Sequence, residues 1–289
     1  MSQSLTLRAQ AETLGAGLPP LLAAADQLAG TVILGDHGRR RSGMGDIFWQ
    51  YRPATASDAA SRIDWRRSAR SDSPFVQDKE WQIAQTLQLW VNASPSMDFT
   101  SRPDIEPKSR RARLLGLAIA ILLLRGGERV GLTDTSVPPR RGEIQAARLA
   151  EALAIDGSTG HSGPDSDALL PRSRALFISD FLEDLDPVEK ALGVAADRGI
   201  KGVLLQVLDP AEEDFPFAGR TVFENMTGAI THETLSAADL RARYLDRLAE
   251  RKDRLDQLAR HAGWTFATHH TGQPATSALL WLHGALAQS

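Results

Sequence analysis

Leu87-Gln88-Leu89-Trp90-Val91-Asn92-Ala93-Ser94-Pro95-Ser96-Met97-Asp98 runs from a nearly apolar stretch straight into a polar loop. Leu87 to Val91 is too short for a helix and too hydrophobic for a strand with one wet face. That combination predicts a strand of a parallel sheet, covered on both sides. Two more stretches read the same way: Ala175 to Ser179, closed by Asp180, and Val203 to Leu208, apolar apart from Gln206. Shorter strands are expected at Arg129 to Leu132 and Trp264 to Thr268.

Between these strands the apolar period changes to that of a helix. Helices are predicted over Lys108–Leu124, Gly142–Ala154, Pro187–Arg198, Ser236–Ala262 and Pro274–Ala287. In the longest of them, Ser236 with Asp239 resembles a capping box, and Asp239–Arg243 and Glu250–Arg254 are spaced as i,i+4 ion pairs. Alternating strands and helices predict an α/β fold with a doubly wound, mostly parallel sheet, of Rossmann type.

The N-terminal part differs. Residues 1–30 read as one helix, with Leu21, Leu22, Ala25, Leu28 and Ala29 as its apolar stripe. Residues 31–80 are rich in Gly, Arg, Asp and aromatics, with eight arginines against four aspartates between Thr31 and Arg70. Alternation in Ile47-Phe48-Trp49-Gln50-Tyr51 predicts a small lobe with β-strands and long loops. The expected division is 1–83, an N-terminal helix and Arg-rich accessory lobe, and 84–289, the α/β domain.

Composition narrows the chemistry. The chain of 289 residues is 42% hydrophobic and carries a net charge of −3, so no global field draws it toward nucleic acid or anionic lipid. With no cysteine, disulfides, thiolate catalysis and iron–sulfur clusters are excluded. The apolar run Leu114 to Leu124 is too short to span a bilayer, and the first residues show no secretory pattern. The expectation is a cytoplasmic protein with no membrane span.

In doubly wound sheets ligands bind beyond the carboxyl ends of the strands. Here Ser94 and Ser96 follow one strand and Asp180 ends another, giving hard oxygen donors that suit a magnesium-like cation. This loop resembles the metal-ion-dependent adhesion site of von Willebrand factor A domains, Asp-x-Ser-x-Ser. Upstream, Gly43-Met44-Gly45-Asp46-Ile47-Phe48, Arg52, Asp58, Arg62-Ile63-Asp64-Trp65 and Ser68-Ala69-Arg70 resemble the signature of the domain-of-unknown-function 58 family. That family carries an A-like domain behind this signature. The resemblance covers roughly residues 30–210 and implies a metal-ligand set of Asn92, Ser94, Ser96, Thr159 and Asp180. It departs at Asn92, where the family has Asp. A neutral amide replaces a carboxylate, so the site is degenerate and any Mg2+ is held weakly.

The resemblance also implies a partner, since proteins of this family are linked with MoxR-type AAA+ ATPases. Arg62, Asp64, Trp65 and Arg70 in the lobe offer a partner-binding surface, with guanidinium groups suited to bidentate pairing and stacking. No His-Glu-x-x-His, Gly-x-Ser-x-Gly or phosphate-cradling glycine loop is present. His269-His270, after a predicted strand, reads as a surface or turn pair, and Glu212-Glu213, after Asp209-Pro210, as solvated loop carboxylates. The expected function is therefore a non-enzymatic adaptor. Two alternatives belong to other classes. One is a metal-dependent hydrolase using Asp64, Asp98 and Asp180. The other is a nucleic-acid-binding module using the Arg-rich lobe, including Arg39 to Arg41.

Overall fold

The structure, a computed structural model, describes residues 20–32, 42–43, 47–55, 58–69, 73–80, 85–134, 136–154, 163–224 and 231–288. Thr159, Arg70 and Arg39 to Arg41 lie outside these residues. The chain divides into two compact units, Met1–Leu34 with Gln85–Ser289, and Gly35–Ala84.

The larger unit is built on five parallel strands: β4 (Thr86–Val91), β5 (Arg129–Leu132), β6 (Arg174–Ser179), β7 (Lys201–Leu208) and β10 (Thr265–His270). Their order across the sheet is β10-β7-β6-β4-β5. Side chains alternate between two cores. Leu87, Leu89, Leu176, Ile178, Val203, Leu205 and Val207 point into one. Trp90, Ala175, Phe177 and Leu204 point into the other. Both faces are covered, which is why these strands carry continuous apolar runs.

The first core is closed by helices α1 (Pro20–Gly30), α3 (Lys108–Arg125), α4 (Glu143–Ala154) and α8 (Ala275–Gln288). The second is closed by α5 (Asp186–Asp197) and α7 (Ala238–His261). Helix α1 belongs to this larger unit, because Leu22, Ala25 and Ala29 are buried in its core. Helix α3 approaches β4 closely: a Cβ at Gly116 would lie 3.1 Å from Val91 and 3.2 Å from Leu89. Between α5 and α7 lie the short helix α6 (Pro210–Asp214) and a hairpin of β8 (Thr221–Glu224) with β9 (Thr231–Thr234).

Two details differ from the sequence expectation. The N-cap of α7 is Ala237, with no side-chain cap, so the Ser236–Asp239 capping box does not form. Ser236 lies one residue too early, and its N–H is drawn to Thr234 Oγ1. Arg254 turns from Glu250 to a two-pronged pairing with Glu189 on α5, at 3.1 and 3.0 Å. That choice ties two helices together where an i,i+4 pair would hold only one.

The smaller unit contains a three-stranded antiparallel sheet, β1 (Ser42–Gly43), β2 (Ile47–Pro53) and β3 (Phe75–Glu80), in the order β1-β3-β2. One turn of helix, α2 (Trp65–Ser68), precedes β3. Among the described residues no helix is long and apolar enough to cross a membrane.

Candidate functional site

The sheet order places β4 between β5, reached through α3, and β6, reached by the return crossover. The crevice of such a sheet opens at the tips of β4 and β6. Both sequence-predicted loops meet there. Asn92 N–H donates to Ile178 O at 2.8 Å, and Asn92 Nδ2 donates to Ser179 Oγ at 3.0 Å. The amide's oxygen accepts from Ser94 N–H at 2.9 Å, so Asn92 is used at both ends. Ser94 Oγ and Ser96 Oγ, both half-buried, are 3.0 Å apart and bonded to each other. The serine turn rests against the second strand tip, since Asp180 N–H donates to the Met97 sulfur at 3.2 Å.

Asp180 has no exposed surface. Its Oδ1 accepts from Leu182 N–H at 3.2 Å, and its Oδ2 accepts from Lys108 Nζ at 2.8 Å. Phe181, next in the chain, holds a left-handed φ of 51°, rare for an aromatic residue. Its N–H donates to Ser179 Oγ and its ring packs near Trp90, which holds that turn in place.

Sequence reading missed Lys108. It is the first residue of α3, is 1% exposed, and its ammonium also donates to Glu212 Oε1 at 2.6 Å. The ring of Phe99 lies 5.7 Å from the ammonium. Glu212 is no solvated loop acid. It sits in α6, whose N-cap Asp209 shares a capping box with it, and Glu212 Oε2 accepts from Asp209 N–H at 2.9 Å. Asp209, itself fully buried, accepts from Ser101 N–H at 3.0 Å. Burial holds the Glu212 carboxyl above the usual range, and the Lys108 ammonium opposes that rise. Gln206 on β7 closes the cluster by donating to Asp180 O at 2.8 Å. A signal was present in sequence: a lysine opening a helix faces the positive end of its dipole, and needs an anionic partner to stay there.

The donor set does not fit a magnesium-type ion. Such an ion needs free anionic oxygens. Asp180 is engaged by Lys108, and Asn92 brings no charge. Asp98 is exposed at the end of the serine turn. Among the described residues no group of three His, Asp or Glu is placed to hold a metal.

Beyond Glu212 lies a cavity of about 520 Å³ walled by Phe99, Phe215, Phe217, Leu240 and Tyr244. Tyr244 donates to Glu212 O at 2.6 Å, and burial pushes its phenol up to about 12. Arg243 and Arg247 stand exposed at the rim. One turn further along α3, Arg111 contacts His269 Nε2 at 2.9 Å, donates to Gln273 O at 2.6 Å and pairs with Glu106. His269 is buried, and burial first, then the Arg111 charge, lowers its pKa to about 4. It is a neutral acceptor rather than the surface or turn residue expected. His270 pairs with Glu213 at 2.5 Å.

In the smaller unit Asp64 caps α2. Its Oδ1 accepts from Arg66 N–H and Arg67 N–H, each at 3.1 Å, and its Oδ2 accepts from Tyr51 OH at 3.0 Å. Those bonds, that from Arg67 N–H first, hold its carboxyl below the usual range. The turn is tied further by Ser68 Oγ, which donates to Asp64 O and accepts from Phe75 N–H. The guanidinium stacked on an aromatic face is that of Arg67, 4.5 Å above Tyr51. Trp65 is left 64% exposed.

Comparison with known proteins adds the family. An uncharacterized protein of Mycobacterium bovis is 27% identical over 237 residues, covering 76% of this chain and 73% of the relative. Uncharacterized proteins of two Mycobacterium tuberculosis strains match equally. Among solved structures, an aerotolerance-related membrane protein from Bacteroides fragilis aligns with a TM-score of 0.48 at 15% identity, covering 71% of this chain and 100% of the other. BatB from Bacteroides thetaiotaomicron, a conserved hypothetical protein, aligns with a TM-score of 0.44 at 17% identity and the same coverage. Residues 50–254 match the family described as "Protein of unknown function DUF58", and the chain belongs to that family.

Proposed function

We propose that this protein is a non-enzymatic adaptor with a von Willebrand factor A-like domain, and that it works by binding a MoxR-type AAA+ ATPase in the cytoplasm. Trp65 carries the proposal. A tryptophan is costly to leave in water, yet this one is 64% exposed on a turn that Asp64, Tyr51 and Ser68 hold rigidly. An exposed aromatic on a fixed backbone loses little entropy on docking and is the kind of side chain that dominates protein interfaces. Arg66 and Arg67, both exposed, flank it with positive charge.

The groove beyond Glu212 supports a second contact with the same partner. Its aromatic walls suit an apolar side chain, and Arg243 with Arg247 suits a neighbouring carboxylate. The partner segment it fits is thus apolar with an acidic flank.

The test is calorimetry of the purified chain against the MoxR-type ATPase of its own genome. Binding is expected, with Trp65→Ala weakening it roughly thirtyfold, the cost of a typical interface anchor. Arg243→Glu/Arg247→Glu is expected to weaken it as well, more at low salt. No binding by the parent sinks the adaptor reading. Unchanged binding by Trp65→Ala with the fold intact moves the contact elsewhere.

A further inference from the structure

We infer that Lys108 is the resident cation of the strand-tip site, so that this chain holds its polar mouth together without a divalent metal. The ammonium sits between two carboxylates drawn from different elements, Asp180 beyond β6 and Glu212 on α6, at 2.8 and 2.6 Å. Side-chain exposure is 1% for Lys108, 0% for Asp180 and 14% for Glu212. A buried ammonium persists only when its donors are matched by acceptors, and here two of its three N–H groups have carboxylate partners.

The charge count explains Asn92. A divalent ion balances more negative charge than an ammonium does. With Lys108 supplying a single positive charge, Asp180 and Glu212 already exceed it. A carboxylate at position 92 would add a third negative charge a few bonds away. Asn92 avoids that and does what a carboxylate cannot: it donates to Ser179 Oγ while accepting from Ser94 N–H. A neutral residue at position 92 and a buried ammonium at position 108 thus fit one charge balance. The consequence is a mouth whose geometry is set at folding and does not respond to magnesium or manganese.

The experiment uses calorimetric titration and thermal melting of the full chain with Mg2+ and Mn2+. For the parent, no binding heat and the same Tm with millimolar metal or with EDTA are expected. Lys108→Met, which keeps length and removes charge, is expected to lower the Tm by roughly 10 °C. Lys108→Ala/Asn92→Asp opens the position and restores the carboxylate, and its Tm is expected to rise when Mn2+ is added. A parent that binds either ion, or melts higher with it, overturns the inference. So does an unchanged Tm in Lys108→Met, or a folded double variant indifferent to metal. If neither variant folds, the parent titration decides alone.

Discussion

Lys108 Nζ lies 2.8 Å from Asp180 Oδ2, and neither side chain reaches solvent. The two residues are 72 positions apart in the chain. One starts the helix that follows β4, and the other ends β6, so their pairing joins the two halves of the sheet at its switch point. Glu212 extends the link to α6 after β7. The connections that follow three neighbouring strands of the sheet, β4, β6 and β7, therefore meet at one ammonium.

Removing both members of this pair should cost less than the two single losses added together. Asp180→Asn leaves the ammonium with Glu212 alone, and Lys108→Met leaves a buried carboxylate without its cation; each is expected to cost ~3–5 kcal/mol. In Lys108→Met/Asp180→Asn the remaining amide still accepts from Leu182 N–H, so the double variant should recover part of the loss. A coupling of ~1–3 kcal/mol in denaturant unfolding is the expected result. Additive losses would show that the two residues act separately.

Much of the α/β alternation was legible because burial on two faces leaves its mark within a few residues: Leu87 to Val91 and Val203 to Leu208 announce parallel strands by themselves. The juxtaposition of Asn92 with Ser179 was also foreseeable, since both follow strands that such a topology brings together. What escaped was charge pairing over long separations. Lys108 looked like the first residue of an apolar helix, and Glu212 like a wet loop acid. Nothing local tells that 104 residues of chain bring them together. Likewise Trp65 looked like the stacked aromatic of its motif, whereas Tyr51, fourteen positions earlier on β2, takes that role under Arg67.

His269 makes stability depend on pH. Its folded pKa of about 4 lies below the ordinary histidine value, so the unfolded chain binds more protons between the two values. Its contribution is present above pH ~6.5 and is lost as pH falls toward ~4, by up to ~3 kcal/mol. His269→Gln, which can still offer an oxygen to Arg111, should flatten that part of the profile. Urea midpoints of parent and variant between pH 4 and 7 check this; parallel curves would exclude His269 as the cause.

Gly202 tests the close pairing of β7 with β6, where it lies in register with Ala175. A Cβ there would lie 2.3 Å from Ala175 O and 2.9 Å from the Trp264 ring. The carbonyl belongs to the sheet and cannot swing away, and Trp264 is fixed by its N–H donating to Ile200 O at 2.8 Å. Gly202→Ala is therefore expected to destabilise by ~3 kcal/mol or more, although alanine is ordinarily the mildest of substitutions. A melting temperature within a degree or two of the parent would mean that the strands are free to separate.

Asn92→Asp alone should reveal how full the strand-tip cluster is. The new carboxyl group enters a buried site that already holds Asp180, and Lys108 has no spare charge to offer it. Burial and like charge both raise a carboxyl pKa, so the folded state would hold its proton more tightly than the unfolded chain. The sign follows: the penalty is absent below pH ~3.9, where the acid is protonated in both states, and grows as pH rises past it. At neutral pH the variant should melt below the parent, and the gap should narrow on acidification. At the acid end the protonated group can still donate to Ser179 Oγ in the manner of the amide it replaces. A variant as stable as the parent at pH 7 would mean that the cluster accepts a third negative charge, and that the neutrality of position 92 has another origin.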